Sequence, residues 1–134
     1  MKNKYMKVVA CAVLFMAAAL QMDAQSAKKA NVKDFITDCE KSEFVKTPKF
    51  AETMAWFNRL AEASPMVNIS SFGTSPMGRD LALVIVDKDG LTTPDAIREK
   101  GRVIVLIESC IHSGEPDGKD ATMIFLRDMV VGKK

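Results

Sequence analysis

The sequence has few of the residues on which several kinds of site depend. Its 134 residues include one histidine, one tyrosine, one tryptophan and three cysteines. So few cysteines do not make a disulfide framework, although Cys39 and Cys110 leave room for one disulfide in an oxidising compartment. The G-x-S-x-G pattern of a serine-hydrolase elbow is absent, which argues against that class of enzyme. Internal repeats and low-complexity tracts are missing as well.

The sequence also lacks an apolar run long enough for a membrane-spanning helix. Three lysines precede the apolar stretch Val8–Met22, which is shorter than the ~20 residues that such a helix needs. Small and polar residues follow, so we predict a secretory signal peptide over residues 1–24, with cleavage after Ala24 or Ala27. A retained N-terminal anchor is the alternative. The predicted location is secreted or periplasmic, with no stable membrane anchor after cleavage.

An excess of charge of one sign is missing too. Removal of residues 1–24 takes away three lysines and Asp23, which brings the 19 basic and 17 acidic residues to equal numbers. No basic stripe with interleaved aromatic side chains remains, so we predict no nucleic-acid partner. After the signal peptide we predict a polar, partly ordered lead over residues 25–46, followed by a domain over residues 47–134.

Helix and strand signals alternate through this predicted domain. A helix is predicted from Thr47-Pro48 to Ser64-Pro65, because threonine is a good N-cap and the residue before a proline avoids the helical region. The apolar face of this helix is predicted to consist of Phe50, Met54, Phe57 and Ala61. The runs Met66–Phe72 and Asp80–Asp87 flank the turn-rich segment Gly73–Gly78 and predict an antiparallel pair of strands.

The alternation continues towards the end of the sequence. Thr93-Pro94 is predicted to begin a short helix that ends at Gly101. The segment Arg102–Glu108 contains the apolar run Val-Ile-Val-Leu-Ile and predicts a third, buried strand. Asp117 is predicted to cap a final helix. The apolar stripe of that helix is predicted to be Ala121, Ile124, Phe125 and Met129. This order predicts an α/β fold in which helices flank a mixed sheet.

The residues most able to carry chemistry follow the predicted third strand. His112, the only histidine, lies three residues before Glu115. Imidazole nitrogen and carboxylate oxygen are both common zinc ligands, and a tight loop around Gly114 can direct them to one point. From spacing alone, a structural histidine is the alternative. Cys110 would face the same side of an extended strand as His112, so a Cys–His–Glu site is an alternative to a buried free cysteine.

Two segments resemble a known enzyme family. Ile111–Glu115, after an apolar strand, is similar to the His-x-x-Glu zinc motif of the metallocarboxypeptidases related to carboxypeptidase A. Phe72–Leu81 is similar to the Gly-Arg turn before the second strand of that family. The helix that precedes the hairpin and the loop-to-helix step at Gly118–Ala121 fit the same order. Residues 47–134 therefore resemble the N-terminal part of a zinc carboxypeptidase catalytic domain.

The resemblance implies a zinc-dependent metallocarboxypeptidase that removes C-terminal residues from peptide substrates. It implies that His112 and Glu115 are two of three protein ligands to Zn²⁺, and that Arg79 faces the substrate cleft. The family's third ligand is a second histidine further along the chain. Its general-base glutamate, carboxylate-binding arginine and pocket tyrosine also lie there, so the catalytic base is unknown here. We therefore expect a fragment that has no peptidase turnover by itself.

Two other functions stay open at this stage. A related amidase or deacylase would use the same His-x-x-Glu zinc motif. A non-catalytic secreted α/β module, a relic of the peptidase fold, would take up no zinc. An incomplete sheet would also leave apolar faces uncovered on Leu81–Val86 and Val103–Ile107, so we expect the isolated chain to associate, with an oligomeric state that the sequence does not fix.

Overall fold

The structure is a computed structural model that describes residues 30–133. Its elements are a 3₁₀ turn (Val32–Phe35), helices α1 (Asp38–Lys41) and α2 (Phe50–Ala63), strands β1 (Val67–Thr74) and β2 (Asp80–Val86), and helices α3 (Pro94–Glu99) and α4 (Asp117–Val130). The predicted signal peptide, residues 1–24, lies outside the described residues. Within residues 30–133, no helix has both the length and the apolar character that crossing a membrane requires.

Helix α2 supplies three of the seven residues of the buried hydrophobic cluster. Its buried residues are Thr53, Trp56, Phe57 and Leu60. The helix ends where predicted, because Ser64 takes an extended backbone before Pro65. It begins at Phe50, later than predicted, since the Glu52 carboxylate accepts a hydrogen bond from the Lys49 N–H at 2.7 Å and caps the helix there. Met54, Phe57 and Ala61 of the predicted apolar face contact the core, whereas the side chain of Phe50 is exposed.

Strands β1 and β2 form the predicted antiparallel hairpin, with Val67 opposite Val86. The strands are joined by a tight turn in which the Gly78 N–H donates to the Ser75 carbonyl at 2.9 Å. Gly78 has a φ of 72°, a left-handed conformation that glycine adopts without steric cost. Four hairpin side chains contact the core: Val67, Ile69, Val84 and Val86. The sequence prediction of this hairpin is confirmed.

The predicted third strand is not formed. Residues 102–110 belong to no helix or strand, and the sheet of residues 30–133 consists of β1 and β2. The side chains of Val103–Ile107 are exposed, from 46% for Ile104 to 87% for Val103. The apolar run predicted burial, but a strand is buried only when neighbouring strands and helices cover it. The α/β class with flanking helices is confirmed, and the described sheet contains only the antiparallel pair.

Helix α4 buries a different face from the one predicted. Its buried residues are Asp120, Met123, Arg127 and Val130. Phe125 and Met129 of the predicted apolar stripe are exposed instead. The prediction was wrong because the Arg127 guanidinium turns inward, where its Nη1 lies 2.8 and 2.6 Å from the two carboxylate oxygens of Glu40. Asp117 is the first residue of the helix, and the capping position belongs to Pro116.

Residues 30–46 pack against α2 and α4. The Trp56 indole N–H donates to the Phe35 carbonyl at 3.1 Å, and the two rings meet edge to face. Thr37 is fully buried and caps α1 through the Glu40 backbone N–H. The division of the chain at residue 46 stays a prediction, but residues 30–46 share the core with the elements that follow them.

The segment that leads to His112 is fixed at its start. Helix α3 ends as predicted at Gly101, whose N–H donates to the Arg98 carbonyl at 2.8 Å. The guanidinium of Arg102 then pairs with Asp87 and Asp89 at the end of β2. Hydrogen bonding from Arg102 lowers the pKa of Asp87 below its ordinary value. The turn after β2 and the start of the 102–110 segment are therefore held together.

Candidate metal centre

His112 and Glu115 lie side by side in the loop between residue 110 and α4. The Nδ1 atom of His112 is 3.1 Å from Oε2 of Glu115. The Glu115 N–H also donates to the His112 carbonyl at 3.1 Å, which closes the loop into one turn. Both side chains are about three-quarters exposed, at 75% and 73%. The structure thus brings the two predicted ligands together where a metal ion in solution can reach them.

The backbone turns before the histidine, at Cys110. This residue has a φ of 60°, a left-handed conformation that is unfavourable for a residue with a side chain. Gly114 is not left-handed, and a Cβ atom added there would meet nothing within 4 Å, so the loop does not require glycine at this position. Cys110 and His112 therefore do not share a strand face. Cys110 is exposed, contrary to the prediction, whereas Cys39 is buried, and both thiols are free.

The loop is anchored to the first turns of α4. The Ser109 hydroxyl lies 3.4 Å from that of Thr122, which donates to the Gly118 carbonyl at 2.7 Å. A Cβ atom on Gly118 would lie 3.4 Å from the Ser109 Oγ, at the limit of ordinary van der Waals contact, so Gly118 packs directly against Ser109. No sequence signal pointed to these contacts, because neither hydroxyl belongs to a recognisable motif.

Lys119 connects the start of α4 to the chain before α2. Its ammonium group donates to the Thr47 hydroxyl at 2.6 Å, to the Pro48 carbonyl at 2.9 Å and to Asp120 at 3.0 Å. The lysine side chain is only 17% exposed. Sequence reasoning missed this residue, since its partners lie 71 and 72 positions away along the chain. The helix that follows Glu115 is thereby tied to the rest of the fold.

A cavity of ≈ 470 Å³ lies between residues 44–47 and the start of α4. Its lining includes Phe44, Val45, Thr47, Asp117, Ala121 and Ile124. Neither His112 nor Glu115 lines it, so this cavity is separate from the candidate metal ligands.

Arg79 lies in the hairpin turn, away from direct contact with the pair. Its N–H donates to the Ser75 Oγ at 3.1 Å, and its carbonyl accepts from the Ser75 N–H at 2.7 Å. The side chain is exposed, and within residues 30–133 its guanidinium makes no ion pair. No hydrogen bond joins Arg79 to His112 or Glu115 in the described part of the chain.

The side chains of His112 and Glu115 lie at hydrogen-bond distance from each other. Two ligands about 2.1 Å from a zinc ion and at a tetrahedral angle lie about 3.4 Å apart, close to the separation of His112 Nδ1 and Glu115 Oε2. Across residues 30–133, no group of three or more histidine, cysteine, aspartate or glutamate side chains is arranged to hold a metal ion.

The sequence profile of the zinc carboxypeptidases matches residues 53–133, from within α2 to the end of α4. This chain belongs to the zinc carboxypeptidase family. The family predicted from His112–Glu115 and from the turn at Arg79 is thereby confirmed, and family members depend on zinc. No curated protein and no solved structure matches this chain.

Proposed function

We propose that this member of the zinc carboxypeptidase family binds a catalytic zinc ion through His112 and Glu115. The proposed reaction is hydrolysis at the C-terminal end of peptides. The observation that carries the proposal is the 3.1 Å separation of His112 Nδ1 and Glu115 Oε2, within the segment that matches the family. Both groups are exposed, so neither has to leave a packed core to bind a metal ion.

The proposed ligand atoms are an imidazole nitrogen of His112 and a carboxylate oxygen of Glu115. Zinc, when bound, lowers the pKa of a coordinated water and polarises a carbonyl oxygen. A histidine ring nitrogen binds a metal ion only when it carries no proton, so metal binding through imidazole releases protons and weakens in acid. Glu115 brings a negative charge and already shares a short loop with His112, which reduces the ordering needed on binding.

Arg79 is proposed to contact an anionic group of the substrate. Within residues 30–133 its guanidinium has no ion pair, so its N–H donors are available to a carboxylate or to a developing oxyanion. The turn that holds its backbone is fixed by the two bonds to Ser75. This proposed role of Arg79 rests on its resemblance to the Gly-Arg turn of the family and on the guanidinium N–H donors, which no ion pair occupies within residues 30–133.

We propose that these 134 residues form an incomplete catalytic unit. The sequence contains no second histidine, so the third ligand is another residue type, a water molecule or a group outside these residues. A site with two protein ligands and little outer-shell support binds metal weakly. We expect no release of C-terminal amino acids by this chain alone. We also propose that residues 1–24 direct it to the periplasm or the cell exterior.

Zinc titration of the purified chain by calorimetry tests the metal ligands. We expect one weakly bound zinc ion per chain, loss of that binding in His112→Ala and Glu115→Gln, and retention in Asp117→Asn. Asp117 is a matched control, because it is an exposed carboxylate two residues beyond Glu115. Cys110→Ser is also expected to retain zinc, which separates this site from one built on the nearby thiol.

A non-catalytic module is the second candidate, and the absence of a three-residue metal group within residues 30–133 favours it. It predicts either no zinc uptake or uptake that His112→Ala leaves unchanged. Either result would overturn the proposed ligand assignment. Zinc-dependent release of C-terminal residues by the 134-residue chain, if lost in His112→Ala, would instead show that the catalytic unit is complete.

A further inference from the structure

We propose that Lys119 is a positioning residue for the metal loop, the segment of residues 109–116 that carries His112 and Glu115. Its ammonium group ties the helix after the loop to the chain before α2, and thereby holds the two ligand groups close together before a metal ion binds. The inference rests on the proposed zinc site and adds to it a residue that does not itself bind the metal.

The ammonium group of Lys119 uses all of its hydrogen-bonding capacity inside the protein. A lysine ammonium has three N–H donors, and the acceptors are the Thr47 hydroxyl at 2.6 Å, the Pro48 carbonyl at 2.9 Å and Asp120 Oδ1 at 3.0 Å. Lysine side chains usually extend into water, but this one is 17% exposed and Asp120 is 6% exposed. Lys119 is therefore a fixed connection between two distant segments and not a solvated surface charge.

The connection reaches the ligand groups through one turn of backbone. The N–H groups of Lys119 and Asp120 both donate to the Pro116 carbonyl, at 3.0 and 3.3 Å. Pro116 follows Glu115 directly, and its ring fixes its own φ angle and restricts the residue before it. The Glu115 N–H in turn donates to the His112 carbonyl at 3.1 Å. A continuous series of bonds thus runs from the ammonium group to both ligand residues.

The metal loop has few other restraints. Within residues 30–133, the bond from the Glu115 N–H to the His112 carbonyl is the one backbone hydrogen bond made by residues 110–115. At the start of the loop, the hydroxyls of Ser109 and Thr122 are 3.4 Å apart, which is long for a hydrogen bond. The ligand side chains are about three-quarters exposed, so packing does not hold them either. The order of the loop therefore depends on the start of α4, where Lys119 is bound.

Zinc affinity depends on this order, because a loop that is ordered only on binding lowers the affinity by the entropy that it loses. Residues that orient metal ligands without binding the metal typically contribute about 10–100-fold in metal affinity. Lys119 acts through one helical turn, so we expect an effect at the lower end of that range. Its removal should weaken zinc binding although both ligands remain.

Calorimetric zinc titration of the full chain tests this role with two variants. Lys119→Met removes the ammonium group and is expected to raise the dissociation constant for zinc about tenfold. Thr47→Val removes one acceptor, keeps the pair of Lys119 with Asp120, and is expected to raise it about threefold. Thr92→Val is the matched control, because Thr92 is also exposed but lies outside the metal loop and α4. It should bind zinc like the unmodified chain.

A core variant separates positioning from a loss of overall stability. Val67 is 4% exposed and lies in β1, so Val67→Ala is expected to destabilise the fold without touching the bonds of Lys119. Zinc affinity should be unchanged in this variant as long as Trp56 fluorescence shows a folded chain. Equal weakening of zinc binding by Val67→Ala and Lys119→Met would overturn the proposal. If Lys119→Met does not fold, an unchanged dissociation constant in Thr47→Val would overturn it.

Hydrogen exchange of the Glu115 amide, measured by NMR without zinc, gives a second readout. We expect Lys119→Met to raise the exchange rate of this amide at least about threefold, because the loop opens more often, and Thr92→Val to leave it unchanged. If the unmodified chain binds no zinc but this increase is found, the proposed zinc site is refuted and Lys119 still positions His112 and Glu115. Unchanged exchange together with unchanged zinc affinity in both test variants would refute the positioning role and leave the ligand assignment intact.

Discussion

Replacement of Glu40 by glutamine tests the ion pair that joins the N-terminal segment to α4. The Glu40 carboxylate accepts hydrogen bonds from the Thr37 N–H at 2.8 Å and the Thr37 hydroxyl at 3.0 Å, and it faces Arg127 Nη1. The Arg127 side chain is only 6% exposed. Its remaining partner is Asp128, through Nε at 3.0 Å. Glu40→Gln therefore removes the negative charge that lies against a buried guanidinium.

The expected loss is about 3 kcal/mol in the free energy of unfolding. Removal of one member of a buried ion pair costs about 3–5 kcal/mol, because the other charge stays buried without full compensation. The lower end applies here, since the Glu40 side chain is 19% exposed and Arg127 keeps its contact with Asp128. The glutamine carbonyl also retains one acceptor for Thr37 or Arg127. A loss of this size lowers Tm by roughly 12 °C or more in a domain of about 100 residues.

The same variant changes the dependence of stability on pH. Burial by itself would raise the pKa of Glu40, but the hydrogen bonds from Arg127 and Thr37 outweigh that effect and hold the pKa below the ordinary 4.5. A carboxyl whose pKa is lowered by folding stabilises the fold above its unfolded pKa. That stabilisation is lost as the pH falls through the folded pKa. We therefore expect Glu40→Gln to show a smaller loss of stability below about pH 4.5 than the unmodified chain.

Urea unfolding followed by tryptophan fluorescence measures both effects. Trp56 is the only tryptophan and is 3% exposed, so its emission reports on the core that α2 shares with the 3₁₀ turn. Asp38→Asn is the matched control, because Asp38 lies on the same helix in an exposed pair with Lys41 and should cost less than about 1 kcal/mol. Equal stabilities of Glu40→Gln and Asp38→Asn would refute the reasoning about the buried pair.

Two further substitutions test the packing with the same assay. Gly90→Ala is expected to lower the free energy of unfolding by at least about 2 kcal/mol. Gly90 has a φ of 73°, and an added Cβ atom would lie 2.8 Å from the Pro65 carbonyl oxygen. Gly114→Ala is its control and should stay within about 0.5 kcal/mol; equal costs would contradict this account of the turn. Leu60→Ala should cost about 3 kcal/mol, since Leu60 is fully buried, and Phe125→Ala, at a half-exposed position, much less. A small effect at Leu60 would show that the core is loosely packed.

Local signals in the sequence predicted much of the fold. Ser64-Pro65 ended α2, Gly101 ended α3, and the turn at Gly78 joined two strands in the expected antiparallel pair. The convergence of His112 and Glu115 was predictable for the same reason, because the two residues are three positions apart in one loop. Each of these features depends on residues that are neighbours along the chain.

Features that depend on distant residues were not predictable. The hydropathy of α4 indicated a face containing Phe125, but the buried face includes Arg127, whose partner Glu40 lies 87 positions away. The apolar run at Val103–Ile107 indicated a buried strand, although burial depends on which elements cover it. The start of α2 was misplaced because Thr47, a good cap by type, accepts its hydrogen bond from Lys119 of α4.

X-ray absorption at the zinc edge tests most directly whether His112 and Glu115 hold a metal ion. In the zinc-loaded chain we predict nitrogen and oxygen ligands about 2.0–2.2 Å from the metal, including one imidazole, and loss of the imidazole signal in His112→Ala. A sulfur ligand at about 2.3 Å that persists in His112→Ala would assign the metal to a cysteine and contradict the account.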